Sequence, residues 1–306
     1  MKPLVFRAAF FLPVFPSFLT ETTMEGILLR DGHRIPAMGF GVFQISPGAE
    51  TERAVLSALE AGYRHFDTAA AYQNEGDVGR AVRAFGLPRE EVFITSKLWL
   101  QDYGYRPAQK AIDTALKTLG LEYIDLYLLH QPYLDIQGAW RAMEEFCQRG
   151  DLRSLGVSNF TPRYLEEFLP GLRQLPVVNQ VECNPFWQQV PLRKRMAELG
   201  MVLESWFPLA HGGQELLEHP VLREIAQAQG RTVAQVVLRW HRQEGLIPLP
   251  KTTNPLHLRE NLAWEDFTLS PEEMGRIRSL DRGKGYRNPE DPGIAEYLLG
   301  KYRIHP

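Results

Sequence analysis

The sequence predicts one (β/α)8 TIM barrel, and three observations favour this fold. Short apolar segments typical of buried strands alternate with longer segments in which apolar residues recur every three or four positions, as in amphipathic helices. Such alternation indicates parallel strands joined by helices. Eight strand segments can be counted in the chain of 306 residues, and a barrel of this type needs about 250 residues.

The first predicted element is a β-hairpin over residues 27–36, with a two-residue turn at Asp31 and Gly32. We expect this hairpin to close the bottom of the barrel. The barrel strands are then predicted at 38–42, 64–66, 92–95, 123–129, 155–157, 177–181, 201–205 and 246–249. Helices are predicted over 50–61, 106–119 and 135–149, and helix starts near Pro107, Pro162 and Pro191.

An open, doubly wound sheet is the main alternative to the barrel, and it binds dinucleotides at a glycine-rich turn after its first strand. Residues 39–44 read GFGVFQ, so Gln44 occupies the position of the third glycine. No P-loop sequence is present. We therefore predict that residues 24–306 form a single barrel domain, with an irregular tail after Pro289.

Residues 1–23 differ from the rest of the chain, because they are rich in aromatic residues and contain three prolines. Arg7, Pro13 and Pro16 interrupt the apolar stretch that a signal peptide needs, and the segment is too short for a transmembrane helix. Met24 begins a sequence that reads as the start of a domain. We expect residues 1–23 to be an extension outside the domain, either from a mis-assigned start or as a disordered tail.

Composition excludes several classes of function. The net charge of −3 lacks the positive excess of nucleic-acid-binding proteins. Cys147 and Cys183 fit neither a metal site nor a disulfide framework, which favours a reducing compartment. The histidines also lack metal-binding spacing, so no metal is predicted. We expect a cytoplasmic monomer that binds neither nucleic acid nor membrane.

Polar residues follow the predicted strands, at the end of the barrel where catalytic residues lie in this fold. Tyr72 comes five residues after one of them, Asp67. Singly, each has an ordinary structural explanation, such as a turn aspartate, a solvated lysine or a buried histidine. Their collection at one rim predicts an active site. In chain order they are Asp67, Lys97, His130, Ser158, Asn159, Gln180, Glu204, Ser205, Trp206 and Lys251.

Four of these side chains can share one proton-transfer reaction. An ammonium near a tyrosine favours the phenolate and lowers a pKa that is ordinarily about 10. An aspartate paired with that lysine holds the ammonium in place, and a histidine can orient a carbonyl oxygen. Tyr72 would then be the general acid that protonates a carbonyl as hydride arrives. A Ser-His-Asp hydrolase is not predicted, because the sequence lacks a G-x-S-x-G segment.

Residues 24–290 resemble the aldo-keto reductase superfamily, in the bacterial branch that includes 2,5-diketo-D-gluconate reductase. The resemblance rests on the segments GYRHFDTAAAYQNE, ITSKLW and LLHQP. It implies a catalytic tetrad of Asp67, Tyr72, Lys97 and His130. Within that tetrad Tyr72 donates the proton, Lys97 and Asp67 tune its acidity, and His130 orients the substrate.

The same resemblance implies that NADPH binds at this end of the barrel. The segments GVSNF and VNQVE would place Ser158, Asn159 and Gln180 at the nicotinamide carboxamide. In the segment ESWFPLA, Trp206 would stack on the nicotinamide ring and Leu209 would lie near the pyrophosphate.

The segment LPKTTNPLHLREN resembles the part of the family that grips the adenosine 2′-phosphate. Lys251 and Thr252 would contact that phosphate, while Glu260 and Asn261 would face the adenine. His257 stands where the family commonly has arginine. Arginine offers a permanent, bidentate charge to a phosphate, whereas histidine is mostly neutral at pH 7. We therefore expect NADPH to be the cofactor, with some use of NADH.

Phe43 and Trp99 follow the first and third predicted strands and would wall the substrate pocket beside His130. The resemblance implies reduction of an aldehyde or ketone, and its branch suggests a small dicarbonyl, a keto-sugar acid or a keto ester. Two alternatives stay open. One is a non-catalytic NADPH-binding sensor or scaffold subunit of the same fold, and the other is a Schiff-base lyase that uses Lys97.

Overall fold

The structure, a computed structural model, describes residues 26–305. The predicted extension over residues 1–23 lies outside this range. Within it, a β-hairpin comes first, and β1 (Ile27–Leu28) pairs antiparallel with β2 (Arg34–Ile35). The eight barrel strands follow as β3 (Phe40–Gly41), β4 (His65–Asp67), β5 (Phe93–Leu98), β6 (Ile124–Leu129), β7 (Leu152–Ser158), β8 (Val178–Glu182), β9 (Val202–Trp206) and β10 (Ile247–Pro248).

The predicted barrel is confirmed. From β3 to β10, each strand pairs in parallel with the next strand along the chain. Backbone hydrogen bonds also join the two ends of this sheet. The amides of Gly39 and Gly41 donate to the carbonyl oxygens of Pro248 and Pro250, at 3.1 and 3.2 Å. These bonds bring the first strand beside the last and close the sheet into a barrel.

The hairpin is confirmed, but its predicted two-residue turn is wrong. The Leu29 amide donates to the His33 carbonyl at 2.8 Å, so the pairing extends one residue beyond β1 and β2 and leaves a loop of three residues, 30–32. Gly32 has a φ of +91°, close to the left-handed conformation that three-residue hairpin loops adopt at their last position. Asp31-Gly32 therefore belongs to a longer loop than the dipeptide alone suggests.

The interior of the barrel changes from apolar to polar along its axis. Leu29 and Ile35 of the hairpin segment cluster with Phe93 and other residues that begin the strands, which closes the bottom as predicted. Strand side chains alternate between two faces, so Phe93, Thr95 and Lys97 of β5 all point inward at successive heights. Lys97 therefore lies at the opposite end from the hairpin, at the C-terminal ends of the strands.

Helices follow the strands around the barrel, and the three predicted helices are confirmed to within one residue at each end. Pro107, Pro162 and Pro191 each lie within the first three residues of a helix.

Among residues 26–305, none of the helices has the length and apolar character that a membrane span requires. The helices are α1 (Ala49–Ala61), α2 (Glu75–Phe85), α3 (Tyr105–Leu119), α4 (Ile136–Arg149), α5 (Pro162–Phe168), α6 (Val190–Glu198), α7 (Gln214–Leu217), α8 (Pro220–Gln229), α9 (Val233–Gln243), α10 (Pro255–Leu262), α11 (Pro271–Arg278) and α12 (Ile294–Lys301).

The prediction of an irregular tail after Pro289 is wrong, because α12 forms there. Leu298 of this helix is 3% exposed and joins the main hydrophobic core. Beyond the helix, the Trp99 indole nitrogen donates to the Tyr302 carbonyl at 2.8 Å, and the Ile304 amide donates to Gln101 Oε1 at 2.7 Å. These contacts with the loop after β5 hold the tail over the C-terminal end of the barrel.

Candidate active site

A cavity of about 780 Å³ opens at the C-terminal end of the barrel. Three of the predicted rim residues, Lys97, Glu204 and Ser205, do not line this cavity. Lys97 lies behind Asp67 and Tyr72. The predicted residues that do line it are Phe43, Asp67, Tyr72, Trp99, His130, Ser158, Asn159, Gln180, Trp206, Leu209, Lys251, Thr252, His257, Glu260 and Asn261.

A buried ion pair forms the floor of the cavity. Lys97 is 0% exposed, and its Nζ lies 2.7 and 2.8 Å from the two carboxylate oxygens of Asp67. The same ammonium donates to the Thr68 carbonyl at 2.9 Å. Asp67 also accepts a hydrogen bond at 2.8 Å from the Gln180 side-chain amide. Both charges are therefore partnered, as buried charges need to be.

Tyr72 reaches this ion pair because a short 3₁₀ turn, Ala70–Tyr72, follows β4. The small side chains of the preceding alanines allow the chain to turn close to the barrel. Gln73, in a left-handed conformation with a φ of 58°, ends the turn. The phenol oxygen consequently lies 3.3 Å from Lys97 Nζ, and the ring centroid lies 4.8 Å from it.

The electrostatics of Tyr72 differ from the expected net effect. Burial raises its pKa to about 12, and the Lys97 ammonium opposes that rise without overcoming it. The direction of the lysine effect is thus as predicted, but desolvation of the phenolate is larger. For Lys97 itself, burial lowers the pKa, while Asp67 and Tyr72 more than offset that effect, so its pKa is raised. The ammonium is therefore kept charged.

The imidazole of His130 lines the cavity in its neutral form. Burial, with a smaller contribution from Lys97, holds the pKa of its imidazole well below the ordinary value. Its ring makes edge contacts with Tyr72 and Trp99, with centroids 5.6 and 5.0 Å apart. A neutral imidazole beside a phenol can donate a hydrogen bond to an oxygen atom without adding charge. The structure thus places His130 and Tyr72 side by side on one cavity.

A second buried carboxyl group lies behind Asp67. Glu204 is 0% exposed, and the Gln180 amide that binds Asp67 also lies 3.1 Å from Glu204 Oε2. His65 Nε2 lies 3.6 Å from Glu204 Oε1. Burial, together with the charge of Asp67, raises the pKa of Glu204 to about 8. Its position at the end of β9 marks Glu204 in the sequence, but nothing there indicates that it shares a donor with Asp67.

Ser158, Asn159, Gln180 and Trp206 form one hydrogen-bonded group beside this floor. The Trp206 indole nitrogen donates to Asn159 Oδ1 at 3.0 Å, and the Asn159 amide donates to the His130 carbonyl at 3.1 Å. Ser158 donates to the Gln180 carbonyl at 2.8 Å. Asn159 adopts a φ of 65°, which asparagine tolerates better than most residues. These bonds fix the amide and indole groups that face the cavity.

The opposite end of the cavity is formed by the turn after β10 and by α10. Lys251 and His257 are exposed there, whereas Asn261 is buried. The Glu260 carbonyl accepts from Gln235 of α9 at 3.0 Å, which ties this segment to the barrel. Lys251 and His257 are thus free to meet a ligand from solvent. The ligand-binding roles of these residues stay predictions.

Several cavity residues were not predicted, and most come from two segments. One is the C-terminal segment from residue 286 onward, called the C-terminal tail below, which adds Tyr286, Arg287, Leu298, Lys301 and Tyr302. The other follows Trp206, where Phe207 has a φ of 52° and His211 a φ of 60°. Tyr133, after β6, completes the wall next to His130. The sequence signal for α12 is the apolar pair Ile294 and Leu298, four residues apart in IAEYLLGK. Only tertiary packing brings the helix to the cavity.

Neither metal binding nor thiol chemistry has support in the part of the chain that the structure describes. Residues 26–305 contain no group of three or more His, Cys, Asp or Glu side chains placed to hold a metal ion. Cys147 and Cys183 are both free, and burial raises the pKa of the Cys183 thiol to about 12.

The chain is similar to known proteins in both sequence and structure. The sequence profile described as "Aldo/keto reductase family" matches residues 37–282. An aldo-keto reductase of Mycolicibacterium smegmatis is 44% identical over 261 residues, which cover 84% of this chain and 94% of that protein. The methylglyoxal reductase DkgA of Escherichia coli O157:H7 is 43% identical over 261 residues, with coverage of 84% and 94%. The crystal structure of a Bombyx mori aldo-keto reductase in complex with NADP superposes with a TM-score of 0.80, at 32% identity, and the match covers 92% of this chain and 98% of that one.

Proposed function

The chain belongs to the aldo/keto reductase family, and from this we propose that it reduces an aldehyde or ketone to the alcohol with NADPH. Members of this family are NADP-dependent oxidoreductases, which fixes the class of enzyme. The observation that carries the finer proposal is the meeting of Tyr72 and His130 on one cavity, with Lys97 3.3 Å behind the Tyr72 hydroxyl.

The cavity has the donors and surfaces that a nicotinamide dinucleotide needs. Trp206 offers an aromatic face that is held by Asn159, and Asn159 and Gln180 carry amides that suit a carboxamide. At the far end, Lys251 supplies a positive charge for a 2′-phosphate. When bound, NADPH would supply the hydride, and the side chains of the chain would supply binding, orientation and the proton.

Proton transfer from Tyr72 completes the proposed reaction. As the carbonyl carbon accepts hydride, the carbonyl oxygen takes the proton of the Tyr72 hydroxyl, which leaves a phenolate. The Lys97 ammonium stabilises that phenolate through its charge, and Asp67 holds the ammonium in place. His130 donates to the same carbonyl oxygen and so orients it. Solvent in the cavity then returns a proton to Tyr72.

The geometry around Lys97 argues against the Schiff-base alternative. A lysine that attacks a carbonyl must be a neutral amine, and such lysines have lowered pKa values. Lys97 instead has a raised pKa, contacts both oxygens of Asp67 and does not line the cavity. The alternative of a non-catalytic sensor or scaffold would make the complete set of Asp67, Tyr72, Lys97 and His130 unnecessary.

The substrate that we propose is a small carbonyl compound, such as a dicarbonyl, a keto-sugar acid or a keto ester. The name of the E. coli relative, methylglyoxal reductase, supports a dicarbonyl among these. We also propose NADPH as the main cofactor with some use of NADH, because His257 lacks the permanent charge of arginine. A cytoplasmic monomer stays our proposal as well.

The test is NADPH oxidation by the purified protein against a panel of aldehydes and ketones, repeated with NADH. We expect turnover with NADPH, and less efficient turnover with NADH. Light scattering during size-exclusion chromatography measures the oligomeric state in the same preparation. If no carbonyl in a broad panel is reduced while NADPH still binds, the sensor alternative replaces the proposed reaction.

A further inference from the structure

The C-terminal tail brings positive charge to the substrate side of the cavity. Arg287 and Lys301 both line the cavity, and Lys301 lies beside Tyr302, which contacts Trp99 next to His130. Lys301 Nζ lies 3.1 Å from the Tyr297 hydroxyl, and the Arg287 guanidinium lies 5.0 Å from the Tyr297 ring. Both cations therefore contact Tyr297, an exposed residue that does not itself line the cavity. Among residues 26–305, no carboxylate lies within 4.0 Å of either of them.

Acidic side chains do not cancel this charge within the described part of the cavity. Its acidic lining residues are Asp67, which is paired with Lys97, and Glu260, which lies on the same side as Lys251. The tail carries three further acidic residues, Glu290, Asp291 and Glu296, and none of them lines the cavity. Glu290 accepts from Thr161 at 2.5 Å, and Asp291 accepts from Asn288 at 3.0 Å. Neither of these two carboxylates lines the cavity.

A row of rings connects Lys301 to the reacting groups. The Lys301 ammonium lies 5.3 Å from the centroid of the Tyr302 ring. Tyr302 contacts Trp99 at a centroid distance of 6.0 Å, and Trp99 contacts His130 at 5.0 Å. Two rings, those of Tyr302 and Trp99, thus separate the Lys301 ammonium from the His130 imidazole that would orient the carbonyl. A ligand that bridges the two must carry its anionic group several bonds from its carbonyl carbon.

From this arrangement we propose that the preferred substrate is an aldehyde or ketone that bears a carboxylate, which Lys301 and Arg287 receive at the mouth of the cavity. This inference rests on the proposed reductase function and selects among its substrate classes. Arginine suits a carboxylate because its planar fork can donate two parallel hydrogen bonds, and lysine adds a point charge. The aromatic wall between the ends holds the uncharged part of the molecule.

The test compares an acid with its own ester, so that the reacting carbonyl stays the same. The probes are 4-formylbenzoate and methyl 4-formylbenzoate, measured with NADPH at saturating concentration. For the protein as it is, we expect a KM about fivefold lower for the acid, since a partly exposed ion pair contributes about that factor. Raising NaCl to about 0.5 M should reduce the difference, because salt screens exposed charges.

Two variants, Lys301→Met and Arg287→Met, remove one charge each and keep an unbranched side chain. We expect each to raise the KM for the acid about twofold, with kcat and the ester kinetics nearly unchanged, and the double variant to lose the roughly fivefold preference for the acid. Lys284→Met is the matched control, because Lys284 is exposed and does not line the cavity. The ester also reports any damage to the tail, since a misplaced α12 would impair both probes.

The outcomes separate this inference from the function on which it rests. Turnover of both probes without a preference for the acid, or equal effects of the variants on acid and ester, overturns the carboxylate site and leaves the reductase intact. The absence of NADPH oxidation with both probes overturns this inference, whereas the proposed function falls only if the broad carbonyl panel also gives no turnover.

Discussion

The ammonium of Lys97 lies 3.3 Å from the hydroxyl of Tyr72, and it contacts Asp67 on its other side. This relationship joins the second and third strands of the barrel, whose C-terminal ends would otherwise carry two isolated polar groups. It also fixes the order of roles in the proposed reaction. The phenol faces the cavity and the carboxylate partners the ammonium, which in the proposed reaction would stabilise the charge that the phenol acquires.

The first prediction separates the electrostatic role of Lys97 from its structural one. Lys97→Met leaves the Asp67 carboxylate buried without its partner, so we expect a loss of about 3–5 kcal/mol in the free energy of unfolding. The double variant Lys97→Met with Asp67→Asn removes both charges and should recover much of that stability. Denaturant titration measures both values.

Activity should not recover in the same double variant, because no cation remains near the Tyr72 phenolate. We expect kcat to fall by a factor of about 10² or more in both variants. A double variant that regains stability together with near-native kcat would contradict the role of Lys97 in tuning Tyr72, and would leave the lysine a purely structural partner of Asp67.

The second prediction concerns pH and Glu204. Its folded pKa of about 8 lies above the ordinary value of 4.5, so between these two pH values the folded state holds a proton that the unfolded state has lost. The stabilisation linked to that proton is complete at low pH and disappears as pH rises through the folded pKa. Relative to Glu204→Gln, the unmodified protein should lose on the order of 1 kcal/mol per pH unit between pH 5 and 8.

Paired thermal unfolding of the two proteins across this range measures the effect. The comparison is well matched, because glutamine keeps the size of the side chain and its oxygen can still accept from Gln180 Nε2. Other titrating groups contribute equally to both curves and cancel in the difference. A constant difference from pH 5 to 8 would show that Glu204 is ionised throughout, in conflict with its burial beside Asp67.

The third prediction concerns the cofactor end of the cavity. Lys251→Ala should raise the KM for NADPH by a factor of about 5–10, and the KM for NADH much less, because only NADPH carries the 2′-phosphate. Arg259→Ala is the control, since Arg259 lies on the same helix as His257 but does not line the cavity. Steady-state kinetics with both cofactors provide the measurement. Equal increases for NADPH and NADH would remove the proposed phosphate contact.

Most of the fold and the location of the site could be predicted because they depend on local patterns. The barrel follows from alternating apolar periods, and Asp67, Lys97 and His130 each come where a strand ends. Parallel strands bring such ends to one rim regardless of the details of packing. The 3₁₀ turn that returns Tyr72 to Lys97 is short, so the spacing between Asp67 and Tyr72 was already informative.

The errors arise where distant contacts decide the outcome. The helix at Ile294–Lys301 is short and gains its stability from packing Leu298 into the core. The pKa of Tyr72 depends on burial as well as on Lys97, and burial cannot be read from a motif. Glu204 is visible at a strand end, but its shared donor with Asp67 depends on how β8 and β9 align. The hairpin turn was misjudged because Gly32 serves a three-residue loop as well as a two-residue one.

The most direct test of the account is the single substitution Tyr72→Phe, which removes one hydroxyl and keeps the ring. NADPH affinity, measured by fluorescence titration, should stay within the range of the unmodified protein, while kcat for carbonyl reduction should fall by a factor of about 10³ or more. Near-native kcat in a variant that still binds NADPH would contradict the proposal that Tyr72 supplies the proton.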